Sequence, residues 1–123
     1  MQNDTIAAIA TAMSPSGIGI SRISGDDALS GIDRIYKSKN NKKKISACQS
    51  HTIHYGLIYD GDEKIDEAMV LLMKAPNTNT REDTVEIDCH GGVYVMKRVL
   101  EAVIKNGARP AEPGEFTLSL IHI

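Results

Sequence analysis

The sequence has 123 residues, 41% hydrophobic and 24% charged, with 14 basic and 16 acidic side chains giving a net charge of −2. That length suits one domain, the composition excludes wholesale disorder, and the charge balance gives no chain-wide basic field for nucleic acid. With no Trp, one Phe, four Tyr and two Cys, the core must rest on aliphatic residues, and a disulfide scaffold is excluded.

The N-terminal stretch MQNDTIAAIATAMSPSG has no basic region ahead of its apolar run, so no signal peptide is read there. No apolar run approaches the roughly 20 residues of a membrane span, and a reducing cytoplasm is the expected setting. Thr5 to Thr11 and Ile18 to Ile23 read as two short strands joined by a Gly/Ser/Pro loop. Ser24-x-x-Asp27 has the form of a capping box. It opens a predicted helix over 26–36 whose apolar face is Ala28, Leu29, Ile32, Ile35 and Tyr36. The run KSKNNKKK carries five lysines between Lys37 and Lys44 and reads, with its flanks, as a solvated loop over 37–46.

HTIHYGLIY (51–59) and IDEAMVLLM (65–73) read as strands of a hairpin turning at Asp60-Gly61. The second is apolar at consecutive positions, which predicts a strand covered on both faces. APNTNTRED (75–83) is a polar connection in which Thr80-x-x-Asp83 could cap one helical turn. TVEIDCH (84–90) alternates Val85, Ile87 and Cys89 with Glu86, Asp88 and His90, the period of a strand. Val93 to Asn106 reads as a helix with the stripe Met96, Val99, Leu100, Val103 and Ile104, outer pairs Lys97–Glu101 and Glu101–Lys105, and a stop at Gly107. A last strand is expected in 108–112. The predicted class is α+β, a single mixed sheet with two main helices.

Four motifs bear on function. The GIG at 17–19 fails the dinucleotide template, because Arg22 stands at the third glycine position and a strand follows; no P-loop is present. A tight glycine turn is one reading. The other is a bare backbone approached by a ligand, with Arg22 as an anion anchor. Cys48, His51, His54, Cys89 and His90 could suggest zinc, but a strand would send His51 and His54 to opposite faces, so no metal is expected. Glu86, Asp88 and His90 share one face at period two. They are either the solvent side of an edge strand or a polar stripe facing a ligand, where a carboxylate could accept paired N–H donors from a heterocycle. The lysine run offers charge without aromatic platforms, so a solvated loop is set against a phosphate grip.

Taken together, NDTIAAIAT, GIGISRISG, DEAMVLLMKAPNTNTREDTVEIDCHGG and ARPAEPGEFT resemble, in family order from Asn3 to Thr117, the N-terminal domain of the tRNA-modifying GTPase family MnmE/TrmE. The resemblance implies a folate-binding α+β domain similar to the glycine-cleavage T-protein. It further implies a homodimer and a tetrahydrofolate ligand (5-formyl or 5,10-methylene). In the full-length family a helical domain, a G domain, an FAD-dependent MnmG-type partner and wobble-uridine modification of tRNA are implied. By motif position, Arg22 and Glu86 match the family's ligand-contacting arginine and glutamate. Asn79 stands where the family usually has an aromatic. The match stops after PGEFT, so 1–117 are expected to form the folate-binding and dimerisation domain and 118–123, LSLIHI, a tail outside the family through truncation or artefact. The resemblance thus implies part of a folate site, with no GTP site and no catalysis by this chain alone. Two alternatives stay open: an RNA-contacting accessory domain using Lys37–Lys44, and a non-functional fragment that folds only in part.

Overall fold

A computed structural model of the chain describes residues 5–10, 18–38, 44–75, 82–90 and 92–112. Seven strands form one sheet: β1 (Ile6–Ile9), β2 (Ile18–Ser24), β3 (Tyr36–Ser38), β4 (Thr52–Asp60), β5 (Glu63–Met73), β6 (Thr84–His90) and β7 (Arg109–Pro110). Helix α1 (Ala28–Ile35) follows β2, a 3₁₀ turn (Ile45–Ala47) precedes β4, and helix α2 (Gly92–Lys105) follows β6. The spatial order is β3-β4-β5-β6-β2-β1-β7. All neighbours are antiparallel except β1 and β7, which run parallel, so the sheet is mixed and the fold α+β.

Both helices pack on one face. There Ile23, Ile58, Val70, Leu72, Val85, Ile87 and Cys89 of the strands meet Ile32 and Ile35 of α1 and Met96, Val99 and Val103 of α2 in one buried cluster. The opposite face is uncovered by any described element. Ile53 is 64% exposed there, Tyr55 50% and Ile18 57%. The expectation that β5 is covered on both sides is therefore corrected. Ala68, Val70 and Leu72 are buried, whereas Met69 is exposed and Leu71 and Met73 only half-buried. Consecutive apolar residues here serve two different environments, a closed core and an open apolar surface.

Several local expectations also change. The Ser24-x-x-Asp27 capping box does not form: Asp27 is the N-cap but makes no side-chain cap bond. Ser24 donates instead to Glu82 (Oγ to Oε1, 3.2 Å), and the Asp27 N–H donates to the Thr5 hydroxyl at 2.7 Å. Tyr36 leaves the helix to begin β3, pairing with Ile58 of β4. The predicted loop over 37–46 is structured at both ends, by β3 and by the 3₁₀ turn. Asp33 of α1 holds that turn by accepting from the Ser46 N–H at 3.1 Å and from the Ser46 hydroxyl. Lys37 lies 4.2 Å over the Tyr59 ring. Residues 39–43 lie outside the described residues, as do Gly17, Asn79, Thr80, PGEFT and 118–123.

On α2, Glu101 meets Arg98 at 4.0 Å rather than the lysines expected, and Lys105 reaches Asp60 at 3.1 Å. Arg98 bonds Asp60 and Glu63 at 3.3 and 2.9 Å, so the helix is latched to the β4–β5 hairpin. Those contacts hold the Asp60 carboxyl below its ordinary range, with the Lys105 hydrogen bond the largest cause. The helix stops where Gly107 adopts φ 121°, a conformation that favours glycine.

Two glycines are there for space. A Cβ on Gly19 would meet Met96 Sδ at 2.2 Å, so the bare backbone of β2 seats α2 and not a ligand. A Cβ on Gly56 would lie 2.5 Å from the Tyr36 ring and 2.6 Å from the Lys37 carbonyl oxygen. The first obstacle is a flexible side chain, the second includes strand backbone. Urea melts should therefore show Gly56→Ala lowering stability by about 1–3 kcal/mol, and by more than Gly19→Ala.

Candidate functional site

Strand β6 is not an edge strand. It lies in the middle of the seven, between β5 and β2. The edge-strand explanation of its polar stripe is thereby corrected: Glu86 and Asp88 project from the centre of the open face. Period-two alternation does this, because Val85, Ile87 and Cys89 must enter the core beneath.

The antiparallel register sets the neighbours. Arg22 on β2 is directly opposite Glu86, and Ile20 is opposite Asp88. On the other side, β5 places Leu71 opposite Glu86 and Met69 opposite Asp88. Strand β4 continues the rows with Ile53 beside Leu71 and Tyr55 beside Met69. Two parallel rows result, Ile53–Leu71–Glu86–Arg22 and Tyr55–Met69–Asp88–Ile20. Each is apolar at the β4–β5 end and carries its carboxylate on β6.

Arg22 Nε lies 3.2 Å from Glu86 Oε1, with the two side chains 46% and 13% exposed. The structure thus brings together, on one face, the two residues named from the sequence. An ion pair with one partner this exposed is worth about 0–1 kcal/mol, so a competing donor or anion can open or share it. Among the described residues the contact uses Nε, and the terminal guanidinium nitrogens can serve another acceptor.

Asp88, which the sequence places in the polar stripe with Glu86 and His90 but to which it assigns no role of its own, stands out in the structure. Its Oδ1 is buried without a hydrogen-bond partner. Burial chiefly, then the hydrogen bond and negative charge of Glu86, raise its carboxyl to about 6 against an opposing pull from Arg22. The other buried oxygen without a partner among the described residues is Ser21 Oγ, on the helix-covered side of β2.

His90 ends the strand. Its backbone N–H donates to Asp66 at 2.9 Å and its Nδ1 lies 3.4 Å from the same carboxylate oxygen. The zinc candidates are dispersed. Cys48 and Cys89 are both buried, and burial first pushes the Cys89 thiol up to about 11, which keeps it protonated and unreactive at neutral pH. His51 precedes β4 with φ 63° and bonds Ser50, while His54 bonds Thr52. Among the described residues no three His, Cys, Asp or Glu side chains gather closely enough to hold a metal ion. No described helix is long and apolar enough to cross a membrane.

Residues 5–119 match the family model described as "GTP-binding protein TrmE N-terminus". Among curated relatives, the chain is 60% identical over 117 residues to the tRNA modification GTPase MnmE of Lachnoclostridium phytofermentans, covering 95% of this chain and 26% of that protein. The protein of the same name from Thermoanaerobacter pseudethanolicus is 57% identical, with 93% and 25% covered. That from Bacillus cytotoxicus is 50% identical, with 95% and 25% covered. The chain spans about a quarter of the length of these relatives.

The Asp88 environment has a consequence for stability. The folded carboxyl, at about 6, lies above the ordinary unfolded value of 3.8. The folded state therefore binds more protons between those values, and stability falls as pH rises through that window. An amide donates permanently to Glu86 what the acid donates only when protonated. Asp88→Asn is accordingly expected to raise the melting temperature relative to the parent at pH 7.5, and to raise it less at pH 4.5, in paired thermal melts.

Proposed function

The chain belongs to the family of TrmE N-terminal domains, and from that premise we propose that its open sheet face binds a tetrahydrofolate one-carbon donor, 5-formyl or 5,10-methylene, through Arg22 and Glu86. The observation that carries this reading is the direct opposition of a guanidinium and a carboxylate at the centre of the sheet face that no described element covers. Together they supply what a folate-type ligand needs. A carboxylate accepts from the N–H donors of a pterin edge, and a guanidinium donates to a ligand oxygen or carboxylate. The flanking Leu71, Met69 and Ile20 give a flat ring an apolar seat beside those polar atoms, the usual composition of a small-molecule site.

The same face supports pairing of two copies. Exposed Ile18, Ile53 and Tyr55 surround the polar pair and would be shielded if a second sheet approached. The site would then lie at or near a homodimer interface. In the longer relatives, whose name is tRNA modification GTPase MnmE, such a domain would hold the one-carbon donor for a modification reaction on tRNA. An FAD-dependent MnmG-type protein is the proposed partner in that reaction. The chemistry would be completed outside this chain: Arg22 and Glu86 bind and orient, and neither is assigned a bond-making role.

Calorimetric titration with 5-formyltetrahydrofolate tests the reading. Binding is expected to saturate, and Arg22→Ala or Glu86→Ala should each weaken it by about 10- to 100-fold, the loss of one charge-assisted hydrogen bond of roughly 1.5–3 kcal/mol. No detectable binding up to millimolar ligand, or full affinity in both variants, would sink it.

A further inference from the structure

We propose that Asp88 is a further binding residue of this site: the second acceptor for a planar ligand edge bearing paired N–H donors, giving up a proton to the buffer as that edge docks. The inference rests on the folate reading and deepens it. It starts from a buried acceptor, Asp88 Oδ1, that nothing among the described residues satisfies. A buried oxygen left without a donor costs about 1–3 kcal/mol, and a donor from outside the chain would remove that cost. The oxygen belongs to a side chain on the open face, one residue pair along β6 from Glu86, with Ile20 and Met69 as its cross-strand neighbours. Neither neighbouring side chain carries a donor. Among the described residues none serves this oxygen, and a ligand or water can supply one.

The charged and titratable groups facing Asp88 can be named element by element. Glu86 and His90 flank it on β6, and Arg22 approaches from β2. Glu67 lies on the same face of β5, and Tyr55 of β4, whose hydroxyl donates to Glu67, stands beyond Met69. Arg22 is already engaged with Glu86, and Asp88 is the carboxyl of the row whose protonated form its surroundings favour. In the free site the Asp88 acid can donate to Glu86, occupying an acceptor that a ligand would need. An incoming cyclic amidine edge, with an N–H and an amino N–H side by side, offers two donors and no acceptor. It favours two ionised carboxylates over one carboxylate and one acid. Docking therefore expels the Asp88 proton: the O–H bond breaks, the proton leaves to solvent, and Oδ1 accepts from the ligand.

The sign follows. Below about 6 the Asp88 proton must be removed at the expense of binding, and above that value it is already gone. Affinity for 5-formyltetrahydrofolate should be about tenfold weaker at pH 5.0 than at pH 7.5. Calorimetry in buffers of different ionisation enthalpy should detect proton release at pH 5.0 and little at pH 7.5. Asp88→Asn should bind several-fold more weakly at pH 7.5 and show a flat profile, while remaining folded by thermal melt. Titration of the ligand's own groups is common to both proteins and cancels between them. His90→Gln, which removes the imidazole flanking Asp88 on β6, should keep the parent profile.

A parent profile that is flat, or an Asp88→Asn protein with parental affinity and parental pH dependence, overturns this inference and leaves the Arg22–Glu86 reading intact. Absence of binding by the parent at every pH overturns the folate reading and this inference with it.

Discussion

The register between β2 and β6 is the constraint on which the site depends. It places Arg22 opposite Glu86 and keeps both on the uncovered side. A slip of one residue in β6 would send Glu86 and Asp88 into the helix-packed core and bring Val85, Ile87 and Cys89 out to water. Register is therefore held by the apolar side of the same strand. Val85, Ile87 and Cys89 have no exposed surface at all, and α2 packs against the cluster they belong to. The energetics of the buried face thus fix the geometry of the polar one. The Arg22–Glu86 ion pair reports the register and does not create it, since so exposed a pair contributes little by itself.

That division explains the character of the open face. A sheet with helices on one side only must leave the other to solvent, to ligand or to another protein surface. Here that side is neither uniformly polar nor uniformly apolar. Tyr55, Ile53 and Met69 lie on β4 and β5, and Glu86, Asp88 and Arg22 lie on β6 and β2. Such a gradient suits a flat heterocycle with a donor-rich edge better than it suits bulk water. It also means that Asp88 is held in surroundings that oppose its ionisation, a local cost on the fold that a bound donor would offset.

Much of this was legible in the sequence. The period-two pattern of 84–90 located β6 and its faces, and the stripe from Met96 to Val103 located α2 and the side that it buries. The motifs around Arg22 and Glu86 mark both residues without any knowledge of their neighbours. The misses share a cause, since each depends on contacts distant in sequence. Strand β3 has three residues and exists because β4 pairs with it. The 3₁₀ turn is held by Asp33, and the start of α1 by Thr5, from an element far upstream. Nothing in IDEAMVLLM reveals that only one side of β5 is covered. The weight of Asp88 required the knowledge that β6 is central, which local pattern does not supply.

The contact between Gly19 and Met96 extends beyond packing. Because the thioether fills the volume that a side chain on β2 would occupy, the two positions cannot vary independently across descent. A chain that gains a methyl at 19 must shorten or redirect the residue at 96, or let the helix shift outward from β2. Substitutions at this pair should consequently appear as coupled exchanges of bulk.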